Sequence, residues 1–223
     1  MAEYCIVPEQ QLYLLPAEFP DTASAFIEPA SCAIHGIDRA GIRLGDTVVI
    51  LGAGTIGLMM MQLAQASGAA RVIILEPLEH KRAIAKKLGA KFVLNPSEVE
   101  PKSAIFDLTG AGADVVIECV GKPKTAQLAI ELVRRGGTVE FFGVCDVGTT
   151  IPIEPNAIYA RELTIVGSYV NPHTFDRSIA VLNSGTLRVD DFQINRFPLD
   201  AVHEALRYQR EGLTIKSIIT PNT

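Results

Sequence analysis

A chain of 223 residues, 48% apolar and 20% charged, is long enough for one ordinary core and too apolar to be disordered. Its 20 basic and 25 acidic side chains give a formal charge of −5 with no basic block, which excludes an evident nucleic-acid surface, and the absence of Trp argues against a stacking platform. The opening MAEYCIVPEQQ has neither the basic nor the apolar region of a secretory leader, and Cys5, Cys32, Cys119 and Cys145 form no CxxC pair, so the expected compartment is a reducing cytoplasm.

Ala2 to Pro8 is a strand-like run, followed by a stretch punctuated by Pro16 and Pro20. Phe26 to Ala40 predicts a helix. From Thr47 to Ala70 the chain carries no charge, a span long enough for a membrane helix. Gly52, Gly54, Gly57, Gln62, Gln65 and Ser67 divide it better into a strand, a glycine turn and a buried helix, so no membrane span is expected. Thr47 to Leu51 is the short β-branched run of a strand buried on both faces, and Ile56 to Ser67 is apolar nearly all round.

A second strand is predicted over Arg71 to Glu76, a helix over Glu79 to Leu88 and a third strand over Phe92 to Leu94. The pattern repeats with a strand at Asp114 to Val120, a helix at Thr125 to Arg135 stopped by Gly136 and Gly137, and strands at Thr138 to Val144 and Glu162 to Tyr169. Helices at Thr174 to Asn183 and Leu199 to Glu211 and strand-like runs at Phe192 to Phe197 and Ile215 to Thr220 complete the chain. Alternating strands and helices imply right-handed βαβ units, and two halves of three strands predict an α/β doubly wound parallel sheet of order 3-2-1-4-5-6.

One motif carries chemistry. Gly52, Gly54 and Gly57 form GxGxxG between a predicted strand and a predicted helix. The first glycine allows a tight turn, the second lets backbone approach a pyrophosphate, and the third lets helix and strand pack closely. Thr55, Ile56 and Gly57 then present N–H groups at a helix start, where the dipole favours phosphate. Glu76 ends the second strand, where an acid accepts hydrogen bonds from an adenosine ribose and repels a 2′-phosphate, favouring NAD over NADP. Lys81 and Arg82 follow, and either one tolerates a phosphate or Lys81 pairs with the ribose hydroxyls. An S-adenosylmethionine site also uses a glycine turn and a strand-end acid, but its turn usually reads GxGxG.

The segments IEPASCAIHGIDRAGIRLGDTVVILGAGTIG, KKLGA, DVVIECVG, RRGGTVEFFGV and RELTIVGS, with AEYCIVPEQQLYLLP ahead of them, resemble the zinc-dependent medium-chain alcohol dehydrogenase superfamily, within it the sorbitol, polyol and threonine dehydrogenase group. The resemblance implies a Rossmann domain at 28–185, a remnant of a GroES-like catalytic domain at 1–27 and a segment at 186–223 returning toward that domain. It implies that Val120 and Gly121 lie at the strand end beneath the nicotinamide, and that the Val144 carbonyl and the Ser168 and Val170 N–H groups grip its carboxamide. Lys216 matches a basic residue near the pyrophosphate, and Glu28, in an EP pair, matches a zinc ligand or zinc-water partner.

The resemblance further implies a preceding barrel domain with a cysteine zinc ligand and a Gly-His-Glu motif, neither of which occurs in this sequence. A shortened product, an excised domain or an incomplete gene reading each accounts for that. Glu28 alone is an incomplete metal site, because a catalytic zinc needs three protein ligands and an open position. Cys32 and His35 follow Glu28 at helical spacing, but the resemblance makes them packing residues.

The implied reaction is hydride transfer between a secondary alcohol or polyol and NAD, with zinc belonging to the complete enzyme and the isolated chain catalytically incomplete. The alternative is a non-enzymatic dinucleotide-binding or oligomerising subunit. The exposed sixth strand predicts a homodimer, or a homotetramer built on it.

Overall fold

A computed structural model describes residues 1–221; the last two residues of the 186–223 segment lie outside the described residues. Residues 1–18 are exposed throughout, and the strand-like run at Ala2 to Pro8 is not a strand. Its alternation finds no neighbouring strand to bond, and only a 3-10 turn at Glu9–Gln11 forms there. A single turn of helix, α1 (Asp21–Ser24), leads into α2 (Ile27–Ala40), which ends at Gly41 in the left-handed region at φ +64°.

The chain then builds β1 (Thr47–Leu51), α3 (Thr55–Ala66), β2 (Arg71–Leu75), α4 (Glu79–Lys87) and β3 (Phe92–Leu94). It crosses through α5 (Pro101–Thr109) to β4 (Ala113–Glu118), α6 (Pro123–Leu132), β5 (Val133–Phe141), α7 (Pro155–Arg161) and β6 (Thr164–Gly167). These six strands form one parallel sheet of order β3-β2-β1-β4-β5-β6, as expected. After α8 (Phe175–Asn183), a second parallel pair, β7 (Ile194–Pro198) and β8 (Lys216–Thr220), flanks α9 (Val202–Arg210).

Alternate residues of the central strands feed opposite faces, as the two-residue period of a strand requires. Val48 and Ile50 pack with α2, α3 and α8, while Val49 and Leu51 pack with Ile105 of α5 and Ala129 and Ile130 of α6. Each such Val, Ile or Leu contributes about 1.5–3 kcal/mol by leaving water, so the sheet centre holds the glycine turn on rigid ground. The uncharged stretch at 47–70 is β1, the turn and α3, and no helix among the described residues is long and apolar enough to cross a membrane.

Two helices were not expected. α5 has Pro101 at its first position and Glu100 as its cap, accepting from the N–H groups of Lys102 and Ser103. α7 also opens on a proline, Pro155. A third difference concerns α6, which ends at Leu132 instead of Arg135, so Gly136 and Gly137 lie inside β5 and stop no helix. A Cβ on Gly137 would meet the Asp114 carbonyl at 2.8 Å, so Gly137 serves the close approach of β5 to β4 beside a register shift, while Gly136 stands at φ +69°. α6 thus runs into β5 with no connecting loop, and Arg161 donates to the carbonyls of Ile130 and Val133 across that junction.

Candidate functional site

The chemistry-bearing end of the sheet is the carboxyl end of β1, β2 and β4. Crossovers from β1 leave toward one face and those from β4 toward the other, so the loops part and leave a crevice. A cleft of about 800 Å³ opens there, lined by Gly52 and Gly54 of the turn, Glu76 and Lys81 after β2, and Val120, Lys122 and Thr125 after β4.

Each glycine of the turn has its own steric reason. Gly52 stands at φ +99°, a conformation L side chains rarely adopt. A Cβ on Gly57 would lie 2.0 Å from the Gly52 carbonyl oxygen, so α3 seats against the turn only because that position is bare. Gly54 differs: φ is −76°, and a Cβ there would meet no protein atom within 4 Å. Nothing in the fold asks for glycine at 54; what the missing side chain leaves is open space at the start of α3, a 12-residue helix whose first N–H groups have no side-chain cap.

Glu76 is buried. Its Oε2 accepts from the Ala53 N–H at 2.8 Å and its Oε1 from the Leu78 N–H at 2.9 Å, so the acid also fastens the glycine turn to the end of β2. Arg82 is held away from the cleft: its guanidinium donates to the Glu76 and Pro77 carbonyls and to Glu79. Lys81 lines the cleft with its charge uncommitted to any ion pair among the described residues.

The remaining predicted positions are spread around this centre. Val120 is 40% exposed and shares the cleft with Glu76 and Lys81, which sets it at the acid-bearing end. Gly121, at φ +74°, packs so closely that a Cβ would meet the Val144 carbonyl oxygen at 2.5 Å. Val144 is exposed, Ser168 has a buried hydroxyl with no partner, and Val170 is a β-branched residue held at φ +52°; none of the three lines the cleft. Lys216 follows Ile215, whose carbonyl accepts the Thr55 hydroxyl, so β8 lies against the first turn of α3. Burial lowers the Lys216 pKa, and Glu28 opposes that shift.

The residues present do not fit a catalytic zinc. Glu28 Oε1 accepts from Cys32 Sγ at 3.4 Å, and burial, with Glu28 beside it, pushes the Cys32 thiol up to about 11, so the two side chains are bonded to each other. No group of three or more His, Cys, Asp or Glu able to hold a metal occurs among the described residues.

Several contributors were missed in the sequence. Lys122, Thr125 and Ser97 line the cleft, and Glu118, fully buried, binds the loop that carries Val120. For Glu118 the available signal was a carboxylate directly after the apolar run Val115 to Ile117.

Comparison with known proteins decides the lineage. The family model for zinc-binding dehydrogenases matches residues 55–184. The chain belongs to the zinc-binding dehydrogenase family. Erythritol/L-threitol dehydrogenase of Mycolicibacterium smegmatis is 34% identical over 215 residues, covering 95% of this chain and 59% of that protein. Sorbitol dehydrogenase of Bos taurus is 34% identical over 210 residues, covering 93% of this chain and 58% of that one. A solved structure from Sinorhizobium meliloti, described as a zinc-binding dehydrogenase bound to NADP, superposes with a TM-score of 0.86 at 37% identity, over 90% of this chain and 59% of its own. The chain therefore spans less than two thirds of the length of these dehydrogenases, and the sheet order found here is that of the family's nucleotide-binding half.

Proposed function

We propose that this chain is the NAD-binding part of a dehydrogenase that acts on a secondary alcohol or polyol, and that it is catalytically incomplete on its own. The observation carrying this reading is the glycine turn that opens into the crevice at the sheet's switch point, with an acid and a lysine at the end of the next strand. When bound, the nicotinamide dinucleotide supplies the two-electron acceptor. The chain's own part is to bind and orient it: backbone N–H groups of Thr55, Ile56 and Gly57 with Lys216 for the pyrophosphate, and Glu76 and Lys81 for the adenosine ribose. Val120, Gly121, Val144, Ser168 and Val170 are assigned to the rest of the cofactor. The secondary alcohol or polyol is suggested by the named activities of the relatives. The polyol dehydrogenase reading also supplies the zinc, held by residues outside this chain.

NAD is proposed over NADP because the Glu76 carboxylate lies in the cleft and Arg82 is occupied elsewhere, although the Sinorhizobium meliloti relative was solved with NADP. Fluorescence titration is expected to show NADH binding at least about tenfold tighter than NADPH, the scale of one unfavourable charge contact. Glu76→Ala is expected to narrow that ratio. Equal or tighter NADPH binding by the wild-type chain would sink the assignment.

The same reading makes the chain a homodimer, or a tetramer built on it, through β6. This four-residue strand is the outer edge of the sheet, bonded to β5 on one side. An unpaired edge is complementary to its own copy under two-fold symmetry. Light scattering at micromolar concentration is expected to give at least twice the 24.0 kDa chain mass; a 24.0 kDa particle would refute the pairing. The cytoplasm is the proposed compartment, in keeping with four free cysteines.

A further inference from the structure

Glu118 is the last residue of β4, and no part of its side chain reaches solvent. Its Oε1 accepts from the Val120 N–H at 2.8 Å, the Gly121 N–H at 3.0 Å and the Thr125 hydroxyl at 2.7 Å. Its Oε2 accepts from the Gly121 N–H at 3.1 Å. The main-chain carbonyl of the same residue accepts from the N–H groups of Phe142 at 3.0 Å and Gly143 at 2.7 Å. One residue thus holds the loop after β4, the first turn of α6 and the loop after β5.

The packing around it leaves no slack. A Cβ on Gly143 would lie 2.4 Å from Glu118 Oε2 and 2.3 Å from the Gly121 nitrogen. Val120, carried by the loop that this carboxylate fastens, points toward the glycine turn, and a Cβ on Gly52 would meet its Cγ2 at 2.9 Å. The position of the β4 loop therefore sets how wide the cleft opens over Gly52. Oε1 carries three of the four contacts, and the Gly121 N–H that reaches Oε2 is shared with it, so the site requires above all a strong acceptor at the Oε1 position.

We propose that Glu118 is a positioning residue for the nucleotide cleft: its carboxylate fixes the β4 loop and the first turn of α6 and thereby sets the affinity for the dinucleotide. This rests on the dinucleotide reading above. Glutamine at 118 keeps the shape but replaces the carboxylate by a weaker neutral acceptor and turns the second prong into a donor facing the Gly121 N–H, which weakens the bonds to the loop and lets it move.

The test is calorimetric titration of the full chain with ADP-ribose, at a temperature where circular dichroism shows each variant folded. Glu118→Gln is expected to weaken binding about tenfold, the effect of exchanging a buried carboxylate acceptor of several bonds for a neutral amide. Thr125→Val is expected to weaken it severalfold and to speed exchange of the Val120 and Gly121 amides, and Thr125→Ser, which restores the hydroxyl, to recover most of both losses. A role in stability alone would lower the melting temperature and leave the affinity of the folded variants unchanged. Hydrogen exchange without ligand provides the second readout, with Val120 and Gly121 amides expected to exchange about tenfold faster in Glu118→Gln. Unchanged exchange and affinity in folded Glu118→Gln overturn the proposal. If that variant does not fold, equal affinities of Thr125→Val and Thr125→Ser overturn it. A wild-type chain that binds no ADP-ribose overturns instead the dinucleotide reading, while the exchange rates still report on the loop.

Discussion

Replacing Gly57 with alanine is expected to lower stability by about 3 kcal/mol and abolish nucleotide binding, while the same change at Gly54 is expected to abolish binding alone. The two positions belong to one motif but face different atoms. At Gly57 the new methyl would sit 2.0 Å from a backbone oxygen, which cannot swing aside as a side chain can, so α3 and the turn must separate. At Gly54 the methyl meets no protein atom, and the local φ of −76° suits any residue. Its folding free energy should therefore stay within about 0.5 kcal/mol of wild type. The methyl would, however, fill the space where a pyrophosphate approaches the backbone. Urea denaturation and ADP-ribose titration on both variants separate the effects. Undiminished binding by Gly54→Ala would contradict the assignment of that space to a ligand.

Glu140 is the source of the second large effect. It lies in β5 with its side chain fully buried and both carboxylate oxygens without a hydrogen-bond partner. Burial pushes its pKa up to about 8, and the Arg39 guanidinium on α2 pulls it only partly back. The direction of the stability change follows from linkage. Below the ordinary value of 4.5 both folded and unfolded chains carry the proton. Above it the unfolded chain releases the proton and the folded chain retains it up to about 8, so unfolding free energy falls as pH rises through that window, then levels off.

At about 1.4 kcal/mol per pH unit, the whole decline is roughly 5 kcal/mol. Glu140→Met, of similar volume, is expected to remove that decline and to be the more stable protein at pH 8. Urea midpoints of the two proteins from pH 5 to 8.5 decide it. Parallel curves across the window would mean that the buried acid finds a partner in solution.

What could be read in advance divides along physical lines. β1 and the turn were legible because five consecutive residues from Thr47 to Leu51 suit only a strand covered on both faces, and three glycines at fixed spacing follow at once. α5 was not, because Ile105 is its sole fully buried apolar residue, so the helical period of hydrophobicity that announces a helix is nearly absent. Its marks were instead local: Glu100 capping, Pro101 at the first position, and Gly110 at φ +80° at its end. Gly136 and Gly137 misled because glycine stops helices and also permits close strand approach, and only the neighbouring strand tells which.

The cleft shows the same division. Gly52, Glu76 and Lys81 are close in sequence to the motif and were named from it. Lys122 and Ser97, from distant loops, and Thr125, from the first turn of α6, are brought together only by the folded sheet. Glu76 was read as a ligand-facing acid, whereas its bonds to the Ala53 and Leu78 N–H groups need the turn to be seen in three dimensions.

The direct passage from α6 into β5 bears on how this domain tolerates a change in length. Most crossovers in such sheets contain a stretch that absorbs an inserted or deleted residue without disturbing what lies on either side. Between Leu132 and Val133 there is none, and Arg161 grips the carbonyls flanking the joint. One extra residue there would rotate the helix by about 100° or invert the faces of the strand. The exposed stretch at 146–150 carries no regular structure and no such lock. An inserted residue is thus expected to be tolerated in the loop after β5 and to disrupt the fold between α6 and β5.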